Sequence, residues 1–488
     1  MNRLLALAAA ILLAGPVPAL AAKRDKTLEA QLRAHITVLA SDEFEGREPG
    51  TEGETKTLRY LARQWFDIGL VSGTNSPGSP WFEPVTLVAR EPAGSAAQFS
   101  RRGRKLAAGP NAVLMLTSGK RSLVENAPVL FVGKGQGELP GRSELAGRVA
   151  LLLDGGTEGG ERQNALLKAG ASAVLTVLDG ERSLDAVAAR RRRSGYALAS
   201  ENLGGDLEGF ITAEAFGRLL GGAAALAELE RQAAAPGFAP RLLDLTATLE
   251  ATTRETTIRT HNLIGRLPGR RPEAGAVLFT AHWDHFGTCA SPPAEHLICN
   301  GTVDNASGVA ALTEIARRLA KGPPLERDVY FVATTGEELG LLGAQALAEN
   351  PPLPLKSIVA AFNIDSVAIA PAGSPVGVVG KGLTPLDAGI AAVAKQQKRK
   401  LSESDAPNQY LRRQDGWALL QHDLPAVLVS TAYGDIARLE KFFDTDYHRP
   451  SDVVRPDLEL GGAADDVNFY VALARWFGDP RKYPLPAK

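Results

Sequence analysis

Cysteine and methionine are nearly absent from this chain of 488 residues, with two of each. Two cysteines cannot build a cysteine-rich metal site, because no second close pair exists. A basic excess is also missing: the formal net charge is −1, which excludes a chain built to coat nucleic acid or an anionic membrane. Arg190–Arg193 is a short basic run and reads as a solvated helix end. Long apolar runs are missing too. The one candidate, residues 4–14, falls short of the roughly 20 residues a membrane span needs. What remains is 44% hydrophobic and 22% charged, the balance of a packed protein. The length exceeds one ordinary domain, so two domains, or one carrying an insertion, are expected.

The N-terminus carries a targeting pattern. Arg3 supplies a positive start, residues 4–14 an apolar core, and Ala19-Leu20-Ala21 a small-residue cleavage site. Gly15, Pro16 and Pro18 interrupt the apolar stretch. Residues 1–22 therefore read as a signal peptide, and the mature chain is expected to be periplasmic or secreted, with no integral membrane span. Cys289 and Cys299 share one loop. In an oxidising compartment a disulfide is expected between them, worth roughly 2–3 kcal/mol in the loop-entropy account.

Along the chain, residues 28–39 and 55–66 read as amphipathic helices flanking a Gly- and acid-rich loop at 42–53. Residues 81–88 read as a strand. From about 110 to 250, short apolar runs alternate with Gly-rich turns, with helices expected at 161–169 and 223–235. From about 255 the alternation becomes strand–helix–strand. Residues 276–281, 328–334, 358–364 and 424–430 are β-rich apolar runs, as strands buried on both faces should be. Between them, Val309, Leu312, Ile315 and Leu319 recur at helical spacing. The fold class expected is α/β: a three-layer αβα sandwich around a mostly parallel mixed sheet, with an inserted smaller β-rich α/β domain. The boundaries expected are 23–109 and 251–488 for the main domain and 110–250 for the insert.

Five potential metal ligands, His282, Asp304, Glu338, Asp365 and His448, fall at or just after the ends of these apolar runs or in the loops between elements. Open α/β sheets place their ligands in the crevice beyond the carboxyl ends of the strands. Imidazole nitrogen and carboxylate oxygen suit zinc. A carboxylate that offers two oxygens can bridge a metal pair, and Asp304 is assigned that bridge. Asp284 lies two residues from His282, on the same side of an extended chain, where it can orient the imidazole. His285 falls on the other side and is a poorer ligand. Glu337 and Glu338 point different ways, so one can bind metal while the other serves as a general base. Taken singly, an N-cap reading for Asp304, a helix-start pair for Glu337-Glu338, a turn residue for Asp365 and a surface residue for His448 are the plainer alternatives.

Five strings in order make the chain resemble the M28 zinc aminopeptidases: Ala-His-Trp-Asp-His (281–285), Gly-Thr-Val-Asp-Asn-Ala-Ser-Gly (301–308), Thr-Gly-Glu-Glu-Leu-Gly (335–340), Asn-Ile-Asp (363–365) and Tyr-His-Arg-Pro-Ser-Asp (447–452). A weaker likeness covers 28–90, with its Gly-Arg-x-Pro-Gly loop at 46–50. The resemblance implies two zinc ions per chain. One would be held by His282, Asp304 and Asp365, the other by Asp304, Glu338 and His448. It implies Glu337 as base, Asp284 as the residue positioning His282, and Tyr447 as an oxyanion stabiliser. The substrates implied are peptides with a free N-terminus. The middle segment resembles a protease-associated (PA) domain through Gly-Lys-Gly at 133–135 and Ala-Gly-Arg-Val-Ala-Leu-Leu at 146–152. One departure is Arg413-Gln414-Asp415-Gly416, where close bacterial relatives often carry Arg-Ser-Asp-His. Two other functions stay open. One is a glutaminyl cyclase-like zinc acyltransferase, which uses one metal. The other is a non-catalytic binding protein, which typically loses ligands.

Overall fold

The computed structural model describes residues 24–485 apart from 76–77, 79, 135–137, 155–158, 181, 194 and 202–203. The expected signal peptide, residues 1–22, lies outside the described residues. Among the described residues no helix is long and apolar enough to cross a membrane.

The centre of the chain is four parallel strands in the order Ala426–Ser430, Ile358–Asn363, Ala276–His282 and Asp328–Thr334. Side chains alternate across such strands. Val277, Phe279 and Ala281 enter one core with Val329, Phe331 and Ala333. Ala276 and Leu278 enter the opposite core with Tyr330 and Val332. The first face is covered by helices Lys26–Leu39, Glu52–Ile68, Gly308–Ala320 and Gly461–Phe477. The second is covered by Leu342–Glu349 and Gly416–Leu420. That is the expected αβα sandwich, and strands this apolar require both layers. Phe279 stacks on Phe331 and Phe362, with ring centroids 5.7 and 5.3 Å apart, and meets Tyr470 edge-on. Each such pair adds about 0.5–1.5 kcal/mol beyond its area.

Several elements run longer than their sequence pattern suggests. The strand expected at 81–88 extends over Phe82–Arg101, and Arg241–Leu267 is a single strand paired antiparallel to it along nearly its whole length. These two strands cross from the main sheet into a second region. There, Arg121–Phe131, Val149–Leu153 and Ala173–Leu178 continue the sheet. That region closes its own apolar cores, which include Phe99, Phe131, Leu151 and Phe216. Polar and charged residues such as Arg90, Glu91, Arg254 and Glu255 break the apolar texture midway along the pair, which is why the strands read as shorter in the sequence. The helix expected to open at Glu337 begins at Leu342 instead. Gly336, at φ 62°, starts a turn that Gly340 and Leu341 close by donating to the Glu337 carbonyl.

Candidate metal centre

The strand Ala276–His282 delivers His282 at its carboxyl end, buried at 1% exposure. The neighbouring parallel strands end at Thr334 and Asn363, just before Glu337-Glu338 and Asp365. Asp304 sits in a helical turn, Thr302–Ser307, that runs into the helix Gly308–Ala320, but its own backbone is non-helical at φ −108° and ψ 94°. It faces the crevice and does not cap the helix.

The five expected ligands converge. His282 Nε2 lies 3.2 Å from Asp304 Oδ1 and 3.6 Å from Asp365 Oδ1. His448 Nε2 lies 3.3 Å from Asp304 Oδ2 and 3.0 Å from Glu338 Oε2. The two oxygens of Asp304 thus face different histidines. Despite these distances, His282 Nε2, His448 Nε2 and Asp304 Oδ2 are buried without an aligned hydrogen-bond partner among the described residues. Buried polar atoms without partners are costly, and divalent cations between them would satisfy all three. The donor set, imidazole nitrogen with carboxylate oxygen, fits zinc.

The charges tell the same story. Burial, reinforced by Glu338 and Asp365, pushes the Glu337 carboxyl well above the ordinary range despite the opposing His282. Burial also raises Asp284 to about 7 and Asp415 to about 6. Asp304 stays well below the usual carboxylate value because His282 and His448 outweigh its burial. Burial disfavours the charged form of His448, yet Asp304 and Glu338 raise its pKa to about 9. Crowded buried carboxylates are what cations relieve.

A pH-dependent result follows. In metal-free protein, the raised His448 pKa contributes stability fully present below its unfolded value near 6.5 and lost as pH rises through about 9. Zinc needs the neutral imidazole, so its binding releases that proton. The rise in Tm caused by zinc is therefore expected to be larger at pH 8.5 than at pH 6, measured by thermal unfolding with and without the ion. An equal rise at both pH values would show that zinc does not compete for these histidines.

The residues beside the candidate ligands are arranged in ways the sequence did not disclose. The Asp284 carboxylate is 3.8 Å from His282 Nδ1, whereas its backbone carbonyl is 3.2 Å away. Asp284 Oδ1 instead accepts from the Glu337 N–H at 3.3 Å. His285 is not turned away. The strand ends at His282, so alternation no longer governs position 285. Its Nδ1 lies 2.5 Å from Glu338 Oε1, leaving Oε2 for His448. Tyr447 stacks on the His448 ring at 3.6 Å, under the Arg413 guanidinium. Burial and the nearby Asp304 and Glu338 raise its pKa well above normal, so the phenol keeps its proton. Tyr433, which follows the strand Ala426–Ser430, is also held protonated by burial and by Asp365 and Asp304. Asp415 accepts from the Thr334 hydroxyl at 2.5 Å. Its position after Arg413-Gln414 carried no assigned role, and neither did Tyr433.

Two further residues hold the Asp304 turn. Asp452 accepts from the Val303 and Asp304 N–H groups at 3.0 and 3.1 Å. Arg47, 1% exposed, donates to the carbonyls of Leu39, Trp283, Asn300 and Gly301 at 2.6–2.9 Å. Gly301 has φ 55°, and a Cβ there would meet the Asp304 carbonyl and, at 2.8 Å, the Arg47 guanidinium. Cys289 and Cys299 are bonded, closing the loop that leads into this turn.

Residues 262–471 match Peptidase family M28. The aminopeptidase YwaD of Bacillus subtilis is 33% identical over 126 residues, which is 25% of this chain and 25% of that protein. The alkaline phosphatase isozyme conversion protein of Escherichia coli is 30% identical over 128 residues, 24% of this chain and 36% of that protein. The chain therefore spans about a third or less of these curated relatives. Among solved structures, an aminopeptidase from Aneurinibacillus sp. strain AM-1 matches 94% of this chain and 96% of its own, at 19% identity and a TM-score of 0.55, a likeness of fold. The ordered motifs and the converged side chains all lie within residues 262–471, the stretch of this chain that matches Peptidase family M28.

Proposed function

We propose that the chain is an exported aminopeptidase that holds two zinc ions and removes N-terminal residues from peptides. One observation carries this reading. Asp304 presents one oxygen to His282 and the other to His448, and both imidazole nitrogens lack hydrogen-bond partners among the described residues. In this reading His282, Asp304 and Asp365 hold one ion, and Asp304, Glu338 and His448 the other. When bound, such a pair acidifies water and draws charge from a substrate carbonyl.

The chain's own residues supply the rest. Glu337 lies 4.0 Å from His282 Nε2, with its backbone fixed by Asp284 and its carboxylate free of hydrogen bonds among the described residues. It takes the proton of the attacking water and passes it to the departing amine. Its raised pKa suits a group that must both accept and release a proton near neutrality. Tyr447, kept protonated, donates a hydrogen bond to the carbonyl oxygen as charge gathers there. Export rests on the pattern of residues 1–22, and the region closed by the second core stands as a PA-like insert.

Peptides with free and acetylated N-termini are the direct test, with metal content measured in parallel. Hydrolysis is expected only with the free amine, lost to a chelator and restored by zinc, at two ions per chain. One ion per chain with cyclisation of N-terminal glutamine, or no turnover on any free-amine substrate, would defeat the reading.

A further inference from the structure

A cavity of about 540 Å³ lies away from the metal crevice, between the helix Glu52–Ile68 and the strand Arg241–Leu267. Residues four apart share a helix face, so Glu54, Leu58 and Ala62 line one wall, with Thr55 and Arg59 beside them. Residues two apart share a strand face, so Arg259 and His261 line the other. Leu58, Ala62 and the Phe82 ring form an apolar floor.

The charges over that floor are unequal. Neither the Arg59 nor the Arg259 guanidinium has a hydrogen-bond or ion-pair partner among the described residues. Other surface arginines do pair, as Arg63 does with Asp67, Arg90 with Glu255 and Arg121 with Glu250. The carboxylate in the lining, Glu54, is already engaged. Gly50 N–H donates to its Oε2 at 2.6 Å, and its Oε1 lies 3.1 Å from His261 Nδ1. Two arginines without partners among the described residues therefore line the cavity beside a carboxylate whose oxygens are already engaged.

We propose that this cavity binds a small carboxylate with an apolar body, of the class of acylated amino acids. A guanidinium matches a carboxylate with two parallel hydrogen bonds. The volume falls within the 300–1,000 Å³ or so typical of small-molecule sites. The site goes beyond the peptidase reading and requires no metal. It nevertheless touches the catalytic strand end: the His261 carbonyl accepts from Trp283 Nε1 at 3.0 Å, and Trp283 adjoins His282. An occupant against His261 rests on the residue that fixes that indole.

Calorimetric titration of the zinc-loaded full chain, and of the same chain after chelation, tests this with N-acetyl-L-phenylalanine, its amide and inorganic phosphate. The acid is expected to bind with and without metal, and the amide and phosphate at least tenfold more weakly. The double variant R59A/R259A is expected to weaken the acid at least tenfold. Equal binding of acid and amide, binding that vanishes on chelation, an unaffected double variant, or no binding at all would overturn the assignment. Because none of these readouts is turnover, failure here is distinct from failure of the peptidase reading.

Discussion

Replacing Glu337 with Gln is expected to lower turnover by about three orders of magnitude, the middle of the range for a positioned general base. Zinc content is expected to stay unchanged. Gln keeps the length and shape of Glu, so the turn closed by Gly340 and Leu341 onto the 337 carbonyl is retained, as is the backbone donation to Asp284. What is lost is a group able to take a proton. The KM should change little, because the step affected is made in the transition state. Steady-state kinetics beside elemental analysis reads both effects. Near-normal turnover would remove Glu337 from the role of base, while loss of zinc would make it a ligand.

Arg47→Met is expected to cost about 3–5 kcal/mol of stability, as when one partner of a buried charged network is removed. The variant is also expected to weaken zinc binding. The guanidinium is buried, and burial lowers its pKa to about 10 although Asp452, Asp304, Asp284 and Glu338 favour its charge. It is therefore a cation at neutral pH. Methionine preserves most of the stem volume but removes the guanidinium donors from the carbonyls of Leu39, Trp283, Asn300 and Gly301, of which Gly301 keeps the Ala306 N–H. Trp283 and Gly301 lie on the two segments that present His282 and Asp304. Arg47→Lys, with fewer donors and no planar fork, should fall between the parent and the methionine variant. Denaturant unfolding with and without zinc checks both effects. An Arg47→Met protein as stable as the parent, with unchanged zinc affinity, would show that the loop at 42–53 merely covers the site.

Much of the fold was readable because the four central strands are apolar on both faces, and such a pattern requires helices above and below. The candidate ligand positions were readable because each carried a chemically suitable side chain where a β-rich run ended or a loop began. The contacts of the side chains packed around them were not. His285 was misjudged because alternation was extended past the last residue of the strand. Asp284 was expected to hold His282 through its carboxylate, yet the carbonyl is the nearer group and the carboxylate meets the Glu337 N–H. Arg47 could be seen only as part of a loop motif, since its four acceptors lie up to 254 positions away.

By itself the sequence determined the donor chemistry, the strand-end positions that bear it, and the single cysteine pair able to close the loop before Asp304. Periodicity and residue type are local properties, and those features depend on little else. The tertiary structure alone decided which oxygen of Asp304 faces which histidine, that His285 braces Glu338, and that one buried arginine ties the N-terminal loop to the crevice. Those outcomes depend on where separate segments come to rest against one another, and hydrogen bonds between residues far apart in the chain leave no spacing in the sequence to read.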